Sequence, residues 1–279
     1  MSEFDPPAPY LRDLVANALA EDFGLLGDIT SLACIDADAK SDGAFVAREA
    51  GVIAGIAAAT EVFRQVDANV QCSWEIADGQ ACVEGTTLGR LHGPTRSLLG
   101  GERLALNILS HCSGIATLTR RCVTAAGDGA RILDTRKTLP GLRALQRAAV
   151  RAGGGVNHRD SLSGAVLIKD NHLAGGTITD AVQRARAMWP GRIVEVECDT
   201  LDQVEEARAA GADVVLLDNM APAQVDDAVG ALGGACLAEV SGGVTLDSLP
   251  AFARARPDFI SLGALTHSAP ALDIGLDLT

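Results

Sequence analysis

The pattern of apolar and polar residues divides the chain into two stretches of different texture. In the first stretch, residues 8–22 place apolar side chains at helical spacing and predict an amphipathic helix. A mixture of strands and helices follows, as in a small α+β sandwich. The predicted strands are 44–48, 70–76 and 81–91, and the predicted helices are 55–66 and 95–126, the latter with a break near Gly114.

From about residue 130, short apolar runs alternate with amphipathic helices. Continuous apolar runs are typical of parallel strands buried on both faces, and their alternation with helices implies right-handed βαβ units. Six units are few for an eight-stranded barrel, which takes about 250 residues, so a smaller barrel and an open doubly wound sheet both remain. The predicted strands are 131–135, 165–169, 193–197, 214–217, 236–240 and 259–262, and the predicted helices are 140–152, 178–188, 201–210, 222–231 and 246–255.

Polar residues or glycine follow the carboxyl end of every strand predicted in the second stretch. In a barrel, groups from all the strands converge on this rim, whereas an open sheet uses only the strands beside its switch point. Six polar ends out of six therefore favour a barrel. In chain order the ends carry Asp134-Thr135-Arg136-Lys137, Lys169-Asp170-Asn171-His172, Glu197, Asp218-Asn219, Ser241-Gly242-Gly243 and Gly263.

The charges at this rim separate into two groups. The cations Arg136, Lys137, His158, Arg159 and Lys169 suit carboxylates and phosphates. Two carboxylates on neighbouring strands, Glu197 and Asp218, suit Mg²⁺, which binds through a few carboxylates together with substrate phosphates. Glycines at two further rims let the backbone approach a phosphate closely. The rim therefore predicts a site for a phosphorylated sugar and an acid.

Several of these residues have other interpretations. Arg136 and Lys137 also fit a solvated loop, and Lys169 also fits a Schiff-base lysine. Glu195 lies on the same strand face as Glu197, which we prefer because it is nearer the rim. Residues 153–155 are three glycines that fit either a linker or a mobile lid. The five histidines show no zinc-binding spacing, so we expect no zinc site.

Composition narrows the class of partner. The 279 residues carry a formal net charge of −13, which disfavours nucleic acid and anionic membranes as partners and requires any anionic substrate to be met by local positive charge. The acidic N-terminus resembles no secretory signal, and no apolar run is long enough to cross a bilayer. Seven cysteines without a C-x-x-C pair predict free thiols in the cytoplasm.

The rim residues also carry a resemblance to a known family, the quinolinate phosphoribosyltransferases. The similarity runs in order from about residue 10 to the C-terminus. It rests on Glu21-Asp22, Gly27-Asp28-Ile29-Thr30-Ser31, Glu102-Arg103-Leu104-Ala105-Leu106-Asn107, the run from Asp134 to Arg143, Asn157-His158-Arg159, Ile168-Lys169-Asp170-Asn171-His172, Glu195-Val196-Glu197, Leu217-Asp218-Asn219, Ser241-Gly242-Gly243 and Ala264-Leu265-Thr266-His267-Ser268.

The resemblance implies an architecture and an activity. The expected architecture is an N-terminal α+β sandwich over 1–113 and a C-terminal α/β barrel of about six parallel strands over 114–264, with 265–279 packing back on the first domain. The expected enzyme is a cytoplasmic homodimer or larger assembly that joins quinolinate to phosphoribosyl pyrophosphate with Mg²⁺. It releases pyrophosphate and CO₂ and forms nicotinate mononucleotide for NAD biosynthesis.

The resemblance also assigns roles to individual residues. Quinolinate is expected to bind Arg103, Arg136, His158, Arg159 and Lys169, with Arg103 reaching the site of the partner subunit. The groups expected to act in catalysis are Lys137, Lys169, Glu197 and Asp218, of which Glu197 and Asp218 also hold the metal, partly through substrate and water. The other expected substrate-binding positions are Thr135, Ser241, Gly242, Gly243, Leu262, Gly263, Ala264 and His267.

Two other functions fit parts of the sequence. The related molybdenum-transport-associated paralogues share the expected architecture, although the set Arg103, Arg136, His158 and Arg159 argues against them. A non-catalytic sensor of a phosphorylated metabolite would use the cations but would not need both carboxylates. Turnover that depends on Mg²⁺ would separate the enzyme from the sensor.

Overall fold

The computed structural model describes residues 4–279, so the first three residues of the predicted N-terminal domain lie outside it. The chain folds into two compact units. The first unit is formed by Met1–Arg120, Thr138–Gly154 and Leu265–Thr279, and the second by Arg121–Lys137 and Gly155–Ala264. The helices are α1 Ala8–Phe23, α2 Ile29–Cys34, α3 Ile56–Val66, α4 Thr95–Ala126, α5 Arg143–Ala152, α6 Asp170–Leu173, α7 Ile178–Met188, α8 Leu201–Ala209, α9 Pro222–Leu232, α10 Leu249–Ala253 and α11 Ala264–His267. The strands are β1 Lys40–Ala47, β2 Gly51–Val52, β3 Gln71–Trp74, β4 Ala81–Cys82, β5 Thr87–Pro94, β6 Arg131–Leu133, β7 Val166–Ile168, β8 Val194–Cys198, β9 Val214–Asp218, β10 Leu237–Ser241, β11 Phe259–Ser261 and β12 Ile274–Leu278.

The first unit is built on an antiparallel sheet with the strand order β12-β1-β5-β3. Alternate residues of β1 are buried, and Phe45 stacks on Trp74 with ring centroids 5.2 Å apart. The C-terminal strand β12 pairs with β1, from Gly43 opposite Leu278 to Ala47 opposite Ile274. The C-terminal strand β12 is therefore an edge strand of the sheet of the first unit.

Two details of the first unit differ from the prediction. The predicted strand 81–91 is two strands, β4 and β5, separated by a turn at Gly85, whose φ is 81°. The break predicted near Gly114 is absent from α4, which is continuous from Thr95 to Ala126. A Cβ at position 114 would overlap the carbonyl of Pro270, so this glycine permits a close contact and does not end the helix.

The second unit is a six-stranded parallel sheet with the order β6-β11-β10-β9-β8-β7. Strands that follow each other in sequence are neighbours from β7 to β11, and β11 then pairs with β6. This is the cyclic order of a barrel that is open between β6 and β7. The mixed α/β class and the six parallel strands predicted from the sequence are confirmed.

A short extended segment borders this opening. Val156 forms an isolated parallel bridge with Leu133 of β6, in which Val156 N–H donates to Ile132 O at 2.8 Å and Asp134 N–H donates to Val156 O at 3.1 Å. The bridge directs the following residues, 157–159, along the end of β6. Their sequence, Asn-His-Arg, supplies two of the predicted site residues.

Within residues 4–279, the helices are too short or too polar to span a bilayer.

Candidate active site

The carboxyl ends of all six parallel strands open into one cavity of about 590 Å³ within the second unit. Because β6 and β7 are the two ends of the hydrogen-bonded order, their joint contribution shows that the sheet curves around the cavity. The cavity is lined by Thr135, Arg136, Lys137, His158, Arg159, Leu167, Lys169, Glu197, Leu216, Asp218, Asn219, Glu239, Ser241, Gly242, Gly243 and Ser261.

The lining follows the alternation of side chains along each strand. Residues two apart face the same side, so each strand from β7 to β10 places a tip residue and a deeper residue on its inward face. The tips are Lys169, Glu197, Asp218 and Ser241. Two residues deeper lie Leu167, Leu216 and Glu239, which also line the cavity, and Glu195, which is buried behind it. The cavity therefore has a charged rim above a floor that is partly apolar.

Two guanidinium groups occupy the open side of the barrel. Arg136 follows β6 and Arg159 follows the Val156 bridge, and both are half-buried. Burial lowers the pKa of Arg159, and the positive charge of Arg136 lowers it further. The Arg159 Nη1 donates to Ala165 O at 2.9 Å, which fixes the direction of the side chain. Two repelling cations held in this way form a site that an anion would stabilise.

The rim carboxylates lie at the tips of adjacent strands. Glu197 lies near the carboxyl end of β8 and forms an ion pair with the Nζ of Lys169, the residue that follows β7. Asp218 ends β9 and accepts a hydrogen bond from Asn219 Nδ2 at 2.6 Å. The ion pair gives Lys169 a partner at the rim, so its place at the end of an apolar run does not by itself indicate a Schiff-base lysine.

The Ser241-Gly242-Gly243 turn leaves room for close backbone approach. Gly242 and Gly243 have φ of 89° and 63°, a region that favours glycine. A Cβ at Gly242 would overlap the side chain of Asn219, which itself has a φ of 55° and donates its backbone N–H to Ser241 O at 2.9 Å. The two loops are thus locked together by backbone conformations that few other residues adopt. Such turns present N–H groups to phosphate oxygens.

A buried ionic cluster lies under the cationic side of the cavity. His158 Nε2 is 3.1 Å from Glu195 Oε2 and 3.3 Å from Glu239 Oε2, and both glutamates are almost fully buried. The other ring nitrogen, Nδ1, accepts the backbone N–H of Arg159 at 2.8 Å. These three groups also form the one His/carboxylate cluster that meets the geometric limits for a metal site within residues 4–279.

The protonation of this cluster follows from its contacts. Burial lowers the pKa of His158, but hydrogen bonds to Glu195 and Glu239 outweigh it and raise the pKa to about 10. Burial raises the pKa of Glu195, and the hydrogen bond from His158 acts in the opposite direction and lowers it. The proton on Nε2 faces the two carboxylates, whereas a second proton would have to sit on Nδ1, where the Arg159 N–H donates, so that hydrogen bond opposes the charged ring that the carboxylates favour.

Most of the predicted site residues meet at the cavity, and the rest lie elsewhere along the chain. Leu262 is buried and donates its N–H to Leu133 O at 3.0 Å, and with Gly263 and Ala264 it lies outside the lining formed by the described residues. Arg103 is an exposed residue of α4, and His267 ends α11, where its Nδ1 is 2.6 Å from Ser268 Oγ. Both belong to the first unit, and their roles stay predictions.

Sequence reasoning did not assign roles to the deeper carboxylates. Asp134 has no exposed surface and accepts His158 N–H at 2.8 Å and Asn157 Nδ2 at 2.5 Å. Of the two glutamates on β8, the sequence favours Glu197 over Glu195, and no motif singles out Glu239. The signal was available, because a charged residue two positions before a polar strand tip faces the same side and needs a partner. Glu239 before Ser241 and Glu195 before Glu197 both fit it.

Comparisons with known proteins agree with this geometry. The family model described as the quinolinate phosphoribosyl transferase C-terminal domain matches residues 115–277, and the model of the N-terminal domain matches residues 28–113. A probable nicotinate-nucleotide pyrophosphorylase (carboxylating) of Bacillus subtilis is 44% identical over 96% of this chain and 93% of its own length. The enzyme of that name from Mycobacterium leprae is 43% identical, over 96% of each chain.

Solved structures give the same relationship. The nicotinate-nucleotide pyrophosphorylase of Francisella tularensis superimposes with a TM-score of 0.94 at 38% identity, over 99% of this chain and 98% of its own. That of Ehrlichia chaffeensis superimposes with a TM-score of 0.92 at 39% identity, over 96% of this chain and 98% of its own. From the two domain matches and these full-length relatives, the chain belongs to the quinolinate phosphoribosyl transferase family.

Proposed function

We propose that the chain transfers the phosphoribosyl group of phosphoribosyl pyrophosphate to quinolinate. Quinolinate loses CO₂ in the reaction, and the other products are nicotinate mononucleotide and pyrophosphate. The observation that carries the proposal is one cavity holding the cations Arg136, Arg159 and Lys169 beside the carboxylates Glu197 and Asp218. This charge distribution suits a dianionic acid next to a phosphorylated sugar.

Quinolinate would bind on the cationic side. Its two carboxylates need replacements for the water that they lose, and the guanidinium groups of Arg136 and Arg159 can each offer paired N–H donors. The apolar side chains of Leu167 and Leu216 in the cavity floor suit the faces of a pyridine ring. Thr135 and His158 border the same side and complete the binding surface.

The sugar phosphate would bind on the opposite side. The backbone of Ser241, Gly242 and Gly243 is open to phosphate oxygens, and Lys137 can neutralise the departing pyrophosphate. Mg²⁺ fits the oxygen donors of Glu197 and Asp218, since this ion binds through one or two carboxylates and substrate phosphates. The ion would supply further neutralisation of the leaving group. Lys169, now paired with Glu197, would then be available to a substrate carboxylate.

The reaction needs no covalent intermediate with the protein. The ring nitrogen of quinolinate attacks the anomeric carbon of the sugar as pyrophosphate departs. The nitrogen becomes positively charged, so the adjacent ring carbon can keep the electron pair of its bond to the carboxylate as CO₂ leaves. A proton from solvent then takes the place of the lost group on that carbon. The side chains around the cavity hold the two substrates in line and compensate their charges.

The test is release of labelled CO₂ from carboxyl-labelled quinolinate. We expect release that requires phosphoribosyl pyrophosphate and stops when a chelator removes Mg²⁺, with nicotinate mononucleotide formed in equal amount. Binding of both compounds without turnover would instead support a metabolite sensor, and turnover of other pyridine acids in preference to quinolinate would support a paralogue.

A second subunit is part of this proposal. Next to the cavity lies a groove of about 680 Å³ whose lining includes Leu162, Met188 and Trp189, which are 73%, 71% and 56% exposed. Apolar surface of this kind marks interfaces. We infer a homodimer in which Arg103 reaches the partner's cavity, and the seven cysteines, all free, support a reducing compartment such as the cytoplasm.

A further inference from the structure

The loop that carries His158 and Arg159 lies at the opening of the barrel, where β6 and β7 do not pair. One backbone bridge, between Val156 and Leu133, ties the start of this loop to the sheet. A substrate-binding loop at such a place needs side-chain contacts to hold it. The structure provides them as buried carboxylates from three different strand regions.

The first carboxylate fixes the backbone of the loop. Asp134, immediately after β6, has no exposed surface, and its two oxygens accept hydrogen bonds from His158 N–H at 2.8 Å and Asn157 Nδ2 at 2.5 Å. Two hydrogen bonds from adjacent residues to one buried side chain hold both residues in place. Asp134 therefore sets where residues 157 and 158 leave the sheet.

The other two carboxylates fix the histidine ring. Glu195 of β8 and Glu239 of β10 approach Nε2 at 3.1 and 3.3 Å, and their side chains are 3% and 2% exposed. The Nδ1 of the ring then accepts Arg159 N–H at 2.8 Å. The contacts form a series from two strands through the ring to the backbone of Arg159, whose side chain lines the cavity.

We propose that Asp134, Glu195 and Glu239 are positioning residues for the diacid, which hold the 157–159 loop so that His158 and Arg159 face it. The proposal rests on the proposed function, because it identifies this part of the cavity as the quinolinate side. It assigns the three carboxylates no contact with the sugar phosphate. Their loss should therefore affect the two substrates unequally.

The experiment measures both Michaelis constants in Glu195→Gln, Glu239→Gln and Asp134→Asn. Because misplacing a binding group by about 1 Å can cost on the order of 100-fold, we expect KM for quinolinate to rise by at least about tenfold. KM for phosphoribosyl pyrophosphate should stay within about twofold of the wild-type value. Glu239→Leu, which removes the acceptor that Gln keeps, should raise KM for quinolinate further than Glu239→Gln does.

A matched control separates positioning from general loss of stability. Asp213 accepts Val194 N–H at 2.7 Å and pairs with Arg186 at 2.8 Å, at the amino end of the sheet and away from the cavity. Asp213→Asn should lower the thermal unfolding temperature without changing either KM. If a Gln variant does not fold, the same comparison is made with Glu239→Asp, which keeps the charge and withdraws it by one methylene.

The outcomes distinguish the positioning role from the proposed function. Wild-type turnover with both KM values unchanged in the variants, or raised by equal factors, would overturn the positioning role and leave the proposed function intact. Absence of wild-type turnover with quinolinate would overturn the proposed function and the positioning role together. A selective rise for quinolinate in the variants but not in Asp213→Asn would support both.

Discussion

Arg136 and Arg159 are the residues whose environment is most directly explained by a dianionic ligand. Both line the cavity, and the charge of Arg136 together with burial lowers the pKa of Arg159. Holding two cations together costs free energy in the absence of an anion. The ligand that removes this cost should have two negative charges at a spacing that both guanidinium groups can reach.

Removing either guanidinium should weaken quinolinate binding strongly. We expect Arg136→Ala and Arg159→Ala each to cost about 2–5 kcal/mol, as found when one partner of a desolvated charge pair is removed. The measurement is KM for quinolinate at saturating phosphoribosyl pyrophosphate. Arg254→Ala, an exposed arginine at the end of α10, is the control. A wild-type KM in both cavity variants would contradict the assignment of the cationic side.

Asp78 is a half-buried carboxyl of the first unit whose environment costs stability at neutral pH. Burial raises its pKa from 3.8 to about 6. The backbone N–H of Ile56 donates to Asp78 Oδ1 at 3.2 Å and lowers the pKa, but by less than burial raises it. The folded pKa lies above the unfolded one, so the protonated carboxyl stabilises the fold below pH 3.8. This contribution is lost as the pH rises through about 6.

Asp78→Asn should therefore stabilise the protein at neutral pH. The rise in pKa from 3.8 to about 6 corresponds to an upper value of roughly 3 kcal/mol in the free energy of unfolding. The gain should shrink as the pH falls toward 4, where the wild-type carboxyl is protonated in the fold. Urea unfolding at pH 7.5 and 4.5 measures both effects, with the exposed Asp38→Asn as control. An equal effect at the two pH values would contradict this account.

At the scale of elements, the sequence predicted regular structure well where the hydrophobic period was long. The helix pattern over 8–22 corresponds to α1, Ala8–Phe23, and the six apolar runs of the second stretch each correspond to a parallel strand. The elements without a prediction are short or depend on distant partners. β12 is a strand because it pairs with β1, more than 200 residues earlier in the chain, and α6 has only 4 residues.

The residues of the candidate site also fall into those that the sequence predicts and those that depend on distant partners. Strand-tip residues such as Lys169 and Glu197 follow from sequence because the end of an apolar run locates the rim. The deeper carboxylates were missed because their partner, His158, lies in a loop that no hydrophobic period describes. Glu195 and Glu239 become informative only when the Val156 bridge places that loop over them.

Two of the helical glycines, Gly114 in α4 and Gly230 in α9, offer a direct test of the close contact made at Gly114. A Cβ at Gly114 would overlap the Pro270 carbonyl oxygen and lie 3.0 Å from Ala271 Cα, whereas a Cβ at Gly230 of α9 meets nothing within 4 Å. We expect Gly114→Ala to destabilise the fold by about 1–3 kcal/mol through overpacking. Gly230→Ala should stabilise it by about 0.5–1 kcal/mol through helix propensity.

The measurement is the free energy of unfolding from urea titration of both variants. Opposite signs are the expected result, because the two substitutions are chemically identical and differ only in their surroundings. Stabilisation by Gly114→Ala would mean that the close approach of α4 to residues 270–271 is not required. The glycine would then have no packing role in the helix.

At the scale of the whole molecule, the net charge of −13 opposes the binding of two anionic substrates. Four cations at one end of the barrel offset this repulsion locally: Arg136, Lys137, Arg159 and Lys169. A further cation from a second subunit would strengthen the same local field. Arg103, predicted to reach across a dimer, would be that cation.

Hybrid dimers can test whether Arg103 acts in the partner's site. One subunit carries Arg103→Ala and the other Asp218→Asn, with different affinity tags so that only hybrids are purified. In a two-fold dimer with exchange, one site combines both defects and the other has none, so the hybrid should show about half of the wild-type activity per dimer. If Arg103 served its own subunit, each site would keep one defect.

The hybrid experiment is informative because each parent homodimer is its own control. Arg103→Ala and Asp218→Asn homodimers should each be nearly inactive, since every site in them lacks the same group. Activity that appears only on mixing can come only from a site assembled from two chains. An inactive hybrid made from folded, dimeric parents would place Arg103 in the cavity of its own subunit, whereas an Arg103→Ala homodimer with wild-type activity would place it outside the site. In either case the cations of the second unit would have to hold the diacid without help from a partner.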